Sequence, residues 1–214
     1  MARVAIFGGS FNPIHYGHLL LADEMLEALA LERVLFVPAG QPPHKLASAV
    51  APAADRHAMV KLATAGHPRF AVSDLELRRP GLSYTVDTLE TLAASGDQLF
   101  LLIGSETFLD LLSWRTPRRI AELARLVVVP RTGSAFDPDS AAAQKVLREI
   151  GADGFTVAAG AAGTGRAVLI AHVASLPISA SDLRRRAHEG RSLAFRVPDA
   201  VMEYMRAHRL YEAA

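Results

Sequence analysis

The sequence predicts an α/β protein: a parallel β-sheet flanked by helices, with a small helical part at the C-terminus. Two observations carry this. Short apolar runs alternate with longer stretches of helical spacing along the 214 residues, the pattern of successive βαβ units. Most of those runs are continuous in Val, Ile, Leu and Phe, as expected of strands buried on both faces.

Taken in order, strands are expected at Val4–Phe7, Val34–Val37, Phe70–Ser73, Leu99–Ile103, Leu126–Val129 and Val168–His172. Helices are expected at Leu19–Leu31, where Leu19, Ala22, Leu26 and Leu29 recur at helical spacing, and at Arg56–Ala65 and Tyr84–Ala94. Two more fall within Ile178–Tyr211, the second opening at Pro198, since proline suits a first helical turn. Three stretches read as loops: Pro38–Ala54, Thr132–Pro138 and the Gly/Ala-rich, nearly featureless Gly151–Gly165. The length suits a single domain, residues 1–214, with 178–214 as its C-terminal helical part. Parallel sheets bind ligands beyond the carboxyl ends of their strands, so the loop after the first strand is the first place to look.

Composition narrows the function classes. Half the residues are hydrophobic, 21% are charged and the formal net charge is +1. That balance argues against a protein that coats nucleic acid electrostatically, but leaves room for a pocket with a few local cations. The absence of cysteine removes disulfides and thiolate catalysis. No apolar run approaches a membrane span, and Met1–Phe7 reads as a strand rather than a leader. The expected setting is the cytoplasm, with no membrane partner.

The densest chemistry follows the first strand: Gly8-Gly9-Ser10-Phe11-Asn12-Pro13-Ile14-His15-Tyr16-Gly17-His18. Paired glycines let backbone approach a ligand, and Asn-Pro is turn chemistry. Gly17-His18 then opens a helix whose N-terminal end favours an anion. His15 and His18, three residues apart at that opening, can face the same phosphate. A purely structural loop is the plainer alternative. There is no Walker phosphate loop, no G-x-G-x-x-G after a strand, no H-E-x-x-H and no G-x-S-x-G. Near the other end stands Ile178-Ser179-Ala180-Ser181-Asp182-Leu183-Arg184. Ser179 or Ser181 can cap a helix, and Arg184, one turn in, can reach a phosphate at that start. By itself this stretch is equally a capped helix with solvated arginines.

The two motifs together resemble the signatures of the nucleotidyltransferase superfamily, G-G-[ST]-F-[DN]-P-x-H-x-G-H and I-S-[ST]-[ST]-x-[IL]-R. Ala180 and Glu106 depart from the usual pattern; the family carries G-x-D at the second position. The resemblance implies a Rossmann-like nucleotidyltransferase fold and direct attack of a phosphate on the α-phosphate of ATP, without a covalent intermediate. It implies catalytic roles for His15, His18 and Arg184. It places ATP and its phosphates near Gly8, Gly9, Ser10, Phe11, Asn12, Lys45, Gly104, Glu106, Ser179 and Ser181. Lys45, on a Pro/Ala-rich loop, is expected to close over the triphosphate.

The middle of the chain resembles the nicotinate mononucleotide branch of that superfamily. The matching stretches are Pro42-Pro43-His44-Lys45, Leu75-Glu76-Leu77-Arg78 with Ser83-Tyr84-Thr85, and Ile103-Gly104-Ser105-Glu106 with Trp114. The branch implies that His44, Thr85 and Trp114 bind nicotinate mononucleotide, Trp114 by stacking on the pyridine ring, beside Arg115, Arg118 and Arg119. A flat cationic ring favours an aromatic face. Trp114 is alternatively a core anchor, and Tyr84-Thr85 merely a helix start.

The resemblance thus implies AMP transfer from ATP to nicotinate mononucleotide, with Mg2+ arriving on ATP and no metal site in the protein. ATP and nicotinate mononucleotide are the expected partners, nucleic acid is not, and a homo-oligomer is left open. Rival readings are a sister transferase for nicotinamide mononucleotide, phosphopantetheine or flavin mononucleotide, a tRNA-charging enzyme, and a non-catalytic nucleotide-binding regulator. His15 argues against the phosphopantetheine enzymes, which carry threonine there. The short chain argues against tRNA recognition.

Overall fold

A computed structural model describes residues 1–43, 50–130, 133, 135–158, 165–174 and 176–213. The central strand β1 (Arg3–Gly9) pairs on one side with β2 (Arg33–Pro38), which pairs with β3 (Phe70–Val72). On its other side β1 pairs with β4 (Gln98–Gly104), followed by β5 (Arg125–Val129), β7 (Val168–Ile170) and β6 (Phe155–Val157). The described sheet has seven strands in the order β3-β2-β1-β4-β5-β7-β6, and every pairing is parallel. Strand order reverses between β1 and β4, so the crevice expected to hold a ligand opens beyond Gly9 and Gly104.

The apolar runs divide between two cores by the period-two rule of a strand. Ala5, Phe7, Phe36, Phe100, Leu102, Val127 and Val129 face one side. There they meet Ala22, Met25 and Leu26 of α1 (Tyr16–Ala28) and Met59 and Val60 of α2 (Ala53–Thr64). Val4, Ile6, Leu99, Leu101, Ile103, Leu126 and Val128 face the other. That face packs on Val86 and Leu89 of α4 (Thr85–Ala93), Phe108 of α5 (Ser105–Leu109), Ile120 of α6 (Pro117–Leu123) and Val146 of α7 (Ala141–Ile150). The short helix α3 (Leu75–Arg78) follows β3. Phe36 and Phe100 are fully buried; each such side chain contributes about 1.5–3 kcal/mol of transfer free energy.

The C-terminal helices α8 (Ala180–His188) and α9 (Asp199–Ala207) belong to the first core through Leu183, Val201 and Met205. Pro198 sits one residue before α9 rather than inside its first turn. Helix α1 ends at Ala28, short of the expected Leu31, and Ala30 follows with φ 46°. Gly151–Gly165 is not featureless: Gly151 ends α7 in the left-handed conformation at φ 71°, and β6 lies within the stretch. Three residues are too few for periodicity to register, and two of the three are exposed at the sheet edge. Among the described residues no helix is long and apolar enough to cross a membrane.

Candidate functional site

Gly8 and Gly9 end β1 in register with Val37 and Pro38, and Gly104 ends β4 in register with Val129. All three glycines therefore stand at the carboxyl edge of the sheet. A Cβ at Gly9 would lie 3.3 Å from the Phe11 ring, a contact tighter than side chains normally tolerate. Phe11 itself is held at φ 43°, a left-handed conformation that costs an aromatic residue energy and persists because the ring is locked. It is 2% exposed and packs edge-on to Phe7 at 5.5 Å and His18 at 5.1 Å.

His15 caps α1 in an extended conformation. Its ring stacks on that of His18 with centroids 3.7 Å apart. The His15 backbone N–H donates to Nδ1 of His18 at 3.3 Å. With Nδ1 accepting, the proton of a neutral His18 resides on Nε2, which makes that nitrogen a donor. Gly17 is demanded by this arrangement, since a Cβ there would come within 3.1 Å of the His15 imidazole. The helix start offers an anion less main chain than the sequence suggests. The Tyr16 N–H is spent on the Arg196 carbonyl at 3.0 Å, and that of His18 on the His15 carbonyl at 2.9 Å. The imidazoles are the more direct contribution.

The second motif reaches the first across the fold. Ser179 is the N-cap of α8, its hydroxyl accepting the Asp182 N–H at 3.1 Å. One turn in, Arg184 donates through Nη1 to the Asn12 carbonyl at 2.8 Å and through Nη2 to Ser181 Oγ at 3.3 Å. The Asn12 side chain faces inward, 3% exposed. Its Oδ1 accepts the Ala51 N–H at 3.0 Å and the Tyr211 hydroxyl at 2.6 Å. Burial pushes the Tyr211 phenol above its ordinary range, against the nearby Arg184 and Arg56.

Arg56 was not legible as a site residue. It lies in the first turn of α2 and is 1% exposed. Nε donates to the Ala51 carbonyl at 2.8 Å, Nη1 to Ser10 at 2.8 Å and Nη2 to Gly40 at 3.1 Å. Desolvation pushes its guanidinium below its ordinary value, and Tyr211 and Glu76 oppose the shift. The signal was there as spacing: Arg56, Met59, Val60 and Thr64 form one buried helical stripe, so the arginine occupies an apolar position.

In the segment that the resemblance assigns to the acceptor, Tyr84 is the N-cap residue of α4 and Thr85 begins the helix. Trp114 ends a single 3-10 turn and is half-buried against the second core. It is neither wholly a core anchor nor free of the core. Its neighbour Arg115 lies over the Tyr84 ring at 5.0 Å and 3.6 Å from the Asp87 carboxylate, so the tryptophan and Thr85 belong to adjoining segments. The adjacent arginines are less available than their clustering suggested. Arg118 lies 3.7 Å from Glu122, and Arg119 lies 3.3 Å from both Glu90 and Glu122. Glu106 is exposed in the first turn of α5, its carboxylate 3.7 Å from where a Gly104 Cβ would stand. His44 and Lys45 lie outside the described residues.

Among the described residues no group of three or more His, Asp or Glu is placed to hold a metal ion. A cleft of about 440 Å³ lined by Gln98, Arg125, Arg166 and Val168 opens at the opposite, amino-terminal edge of the strands, away from these residues.

Comparison with known proteins places the chain in a family. Residues 6–186 match the family model described as cytidylyltransferase-like. A probable nicotinate-nucleotide adenylyltransferase of Thermomicrobium roseum is 44% identical, over 99% of this chain and 92% of its own length. One from Thermus thermophilus is 42% identical over 98% of this chain and 99% of its own. The nicotinic acid mononucleotide adenylyltransferase of Plasmodium falciparum, solved with NaAD, shares the fold at a TM-score of 0.73. It is 17% identical, over 99% of this chain and 98% of that one. The chain belongs to the cytidylyltransferase-like family and, within it, to the nicotinate-nucleotide adenylyltransferases.

Proposed function

We propose that the chain transfers AMP from ATP to nicotinate mononucleotide, giving nicotinate adenine dinucleotide and pyrophosphate. The observation that carries the reading is the meeting of two motifs 172 residues apart, where Arg184 grips the carbonyl of Asn12 beside the stacked His15–His18 pair. The acceptor phosphate attacks the α-phosphorus of ATP in line, and pyrophosphate departs with the bonding electrons. No group of the protein is adenylylated along the way. Its contribution is to hold two anions in attack geometry and to stabilise charge as it develops.

In this proposal His18 donates from Nε2 to a phosphoryl oxygen, His15 supports the same anion, and Arg184 adds a fixed positive charge. Gly8, Gly9, Ser10, Phe11, Asn12, Gly104, Glu106, Ser179 and Ser181 frame ATP, with Lys45 from its loop. Gly8 fits close substrate approach: a Cβ there would meet nothing within 4 Å, so internal packing does not explain the glycine. A divalent ion, which we take to be Mg2+, enters as part of the ATP substrate, held by phosphate oxygens and water. We treat residues 1–214 as one domain, with 178–214 supplying the second phosphate motif, and place the reaction in the cytoplasm.

Thr85, Trp114 and His44 are assigned to the acceptor. Pyrophosphate release should be strong with ATP, Mg2+ and nicotinate mononucleotide, and much weaker with nicotinamide mononucleotide, because a site built for a carboxylate is left with unpaired polar groups by the amide. Equal release with both would remove the carboxylate-sensing role; release with neither would overturn the reading. Trp114→Ala should raise the acceptor KM roughly tenfold, about 1.4 kcal/mol of lost stacking, with a smaller change in kcat. An unchanged KM would make Trp114 a packing residue.

A further inference from the structure

Arg56 joins two regions that the reaction must hold at a fixed separation. Its three donors reach main-chain carbonyls on three connections at the carboxyl edge of the sheet. Ser10 lies in the loop between β1 and α1, Gly40 just beyond β2, and Ala51 just before α2. Ser10 precedes the histidine pair. Gly40 continues the linkage: its N–H donates to Ser83 Oγ at 3.0 Å, and the next N–H, of Gln41, to the same oxygen at 3.1 Å. The Ser83 N–H returns to the Gln41 carbonyl at 2.9 Å. Ser83 stands two residues before Thr85, on the acceptor side.

A contiguous path therefore runs from the phosphate loop through one guanidinium to the acceptor segment. Its members are tightly seated. Gly40 lies so close to the Glu76 carbonyl that no side chain fits. Glu76 accepts the Thr88 hydroxyl at 2.7 Å, and Thr88 accepts a hydrogen bond from Arg79 at 2.8 Å.

A buried guanidinium held by neutral carbonyls is a costly choice if its purpose is packing alone, since an apolar side chain of similar volume avoids the desolvation penalty. It does offer rigid, planar, divergent donors, which no apolar or ammonium group reproduces. We propose that Arg56 is a positioning residue for the transfer, setting the distance between the phosphate loop that holds ATP and the Ser83–Thr85 segment that receives the acceptor. This rests on the adenylyl-transfer reading above. Its signature is specific. In this proposal ATP lies mainly on the Ser10 side and the acceptor mainly on the Ser83 side, so each should bind alone nearly as well without the linkage, whereas their alignment suffers. Misplacement of about 1 Å between reacting groups can reduce a rate roughly a hundredfold.

The test compares wild type with Arg56→Lys and Arg56→Met. Substrate binding is measured separately by calorimetry with ATP and Mg2+ and with nicotinate mononucleotide, kcat by pyrophosphate release, and folding by circular dichroism at the assay temperature. The expected result is at least one variant that is folded, binds each substrate within about threefold of wild type, and has kcat lowered at least tenfold, partly restored in the lysine or methionine variant by added guanidinium ion. Wild-type kcat in a folded variant would overturn the proposal. So would a loss confined to the binding of one substrate, or variants none of which folds, which would make Arg56 a folding residue only. Failure of the underlying reading shows differently, as absent pyrophosphate release in the wild type.

Discussion

His18→Ala is expected to lower kcat about a hundredfold or more while leaving the fold intact, as happens when one preorganised donor is removed from a site of developing charge. The ring is fixed on three sides: by the His15 ring at 3.7 Å, by the edge of Phe11 at 5.1 Å and by that of Phe7 at 5.9 Å. The His15 N–H at Nδ1 fixes its tautomer. A donor held this way does not reorganise as the reaction proceeds, which is why its loss falls on kcat. Because His18 is half-buried at a helix start, its removal should cost only about 1–2 kcal/mol of stability, from a lost hydrogen bond and lost ring contacts. Steady-state pyrophosphate release and a thermal melt decide the matter together. Near-normal turnover would remove His18 from the reaction; a large fall in Tm would mean that the ring chiefly holds Phe11 in place.

Gly40→Ala should lower stability substantially, since Gly40 is the most tightly enclosed of the described glycines. The added Cβ would stand 2.4 Å from the Glu76 carbonyl oxygen, 3.0 Å from its carbon and 3.3 Å from Ser83 Oγ. The first two are main chain, so the clash is relieved only by moving the backbone after β2 or that of α3. Overpacking of this kind costs about 3 kcal/mol. For a chain of this size that corresponds to a Tm lowered by roughly 6–12 °C. The same displacement disturbs the Gly40 carbonyl held by Arg56 and the N–H held by Ser83, so activity should fall beyond what unfolding explains. A variant melting within about 2 °C of wild type would show that the segment yields easily.

The two predictions probe features of very different legibility. The parallel sheet was readable because strands such as Leu99–Ile103 and Leu126–Val129 are apolar at every position, and their burial on both faces is what writes that pattern. The histidine pair and Arg184 were readable because each sits in a contiguous motif, where spacing along the chain is spacing in space. The short elements α3, α5, α6 and β6 were not, since three to seven residues make too little of a period to detect.

By itself the sequence determined which residues are buried in the sheet, where the loop proposed to hold phosphate begins and which residue types could act there. Only the tertiary structure decided how those residues are held. It set Arg184 on the carbonyl of Asn12, brought Tyr211 to the same residue's side chain from 199 positions away, and drew Ser10, Gly40 and Ala51 onto one guanidinium. The physical reason is that these are hydrogen bonds to main-chain carbonyls and a lone amide oxygen. A carbonyl carries no mark of residue type, so nothing in the order of side chains announces which one a buried arginine will find.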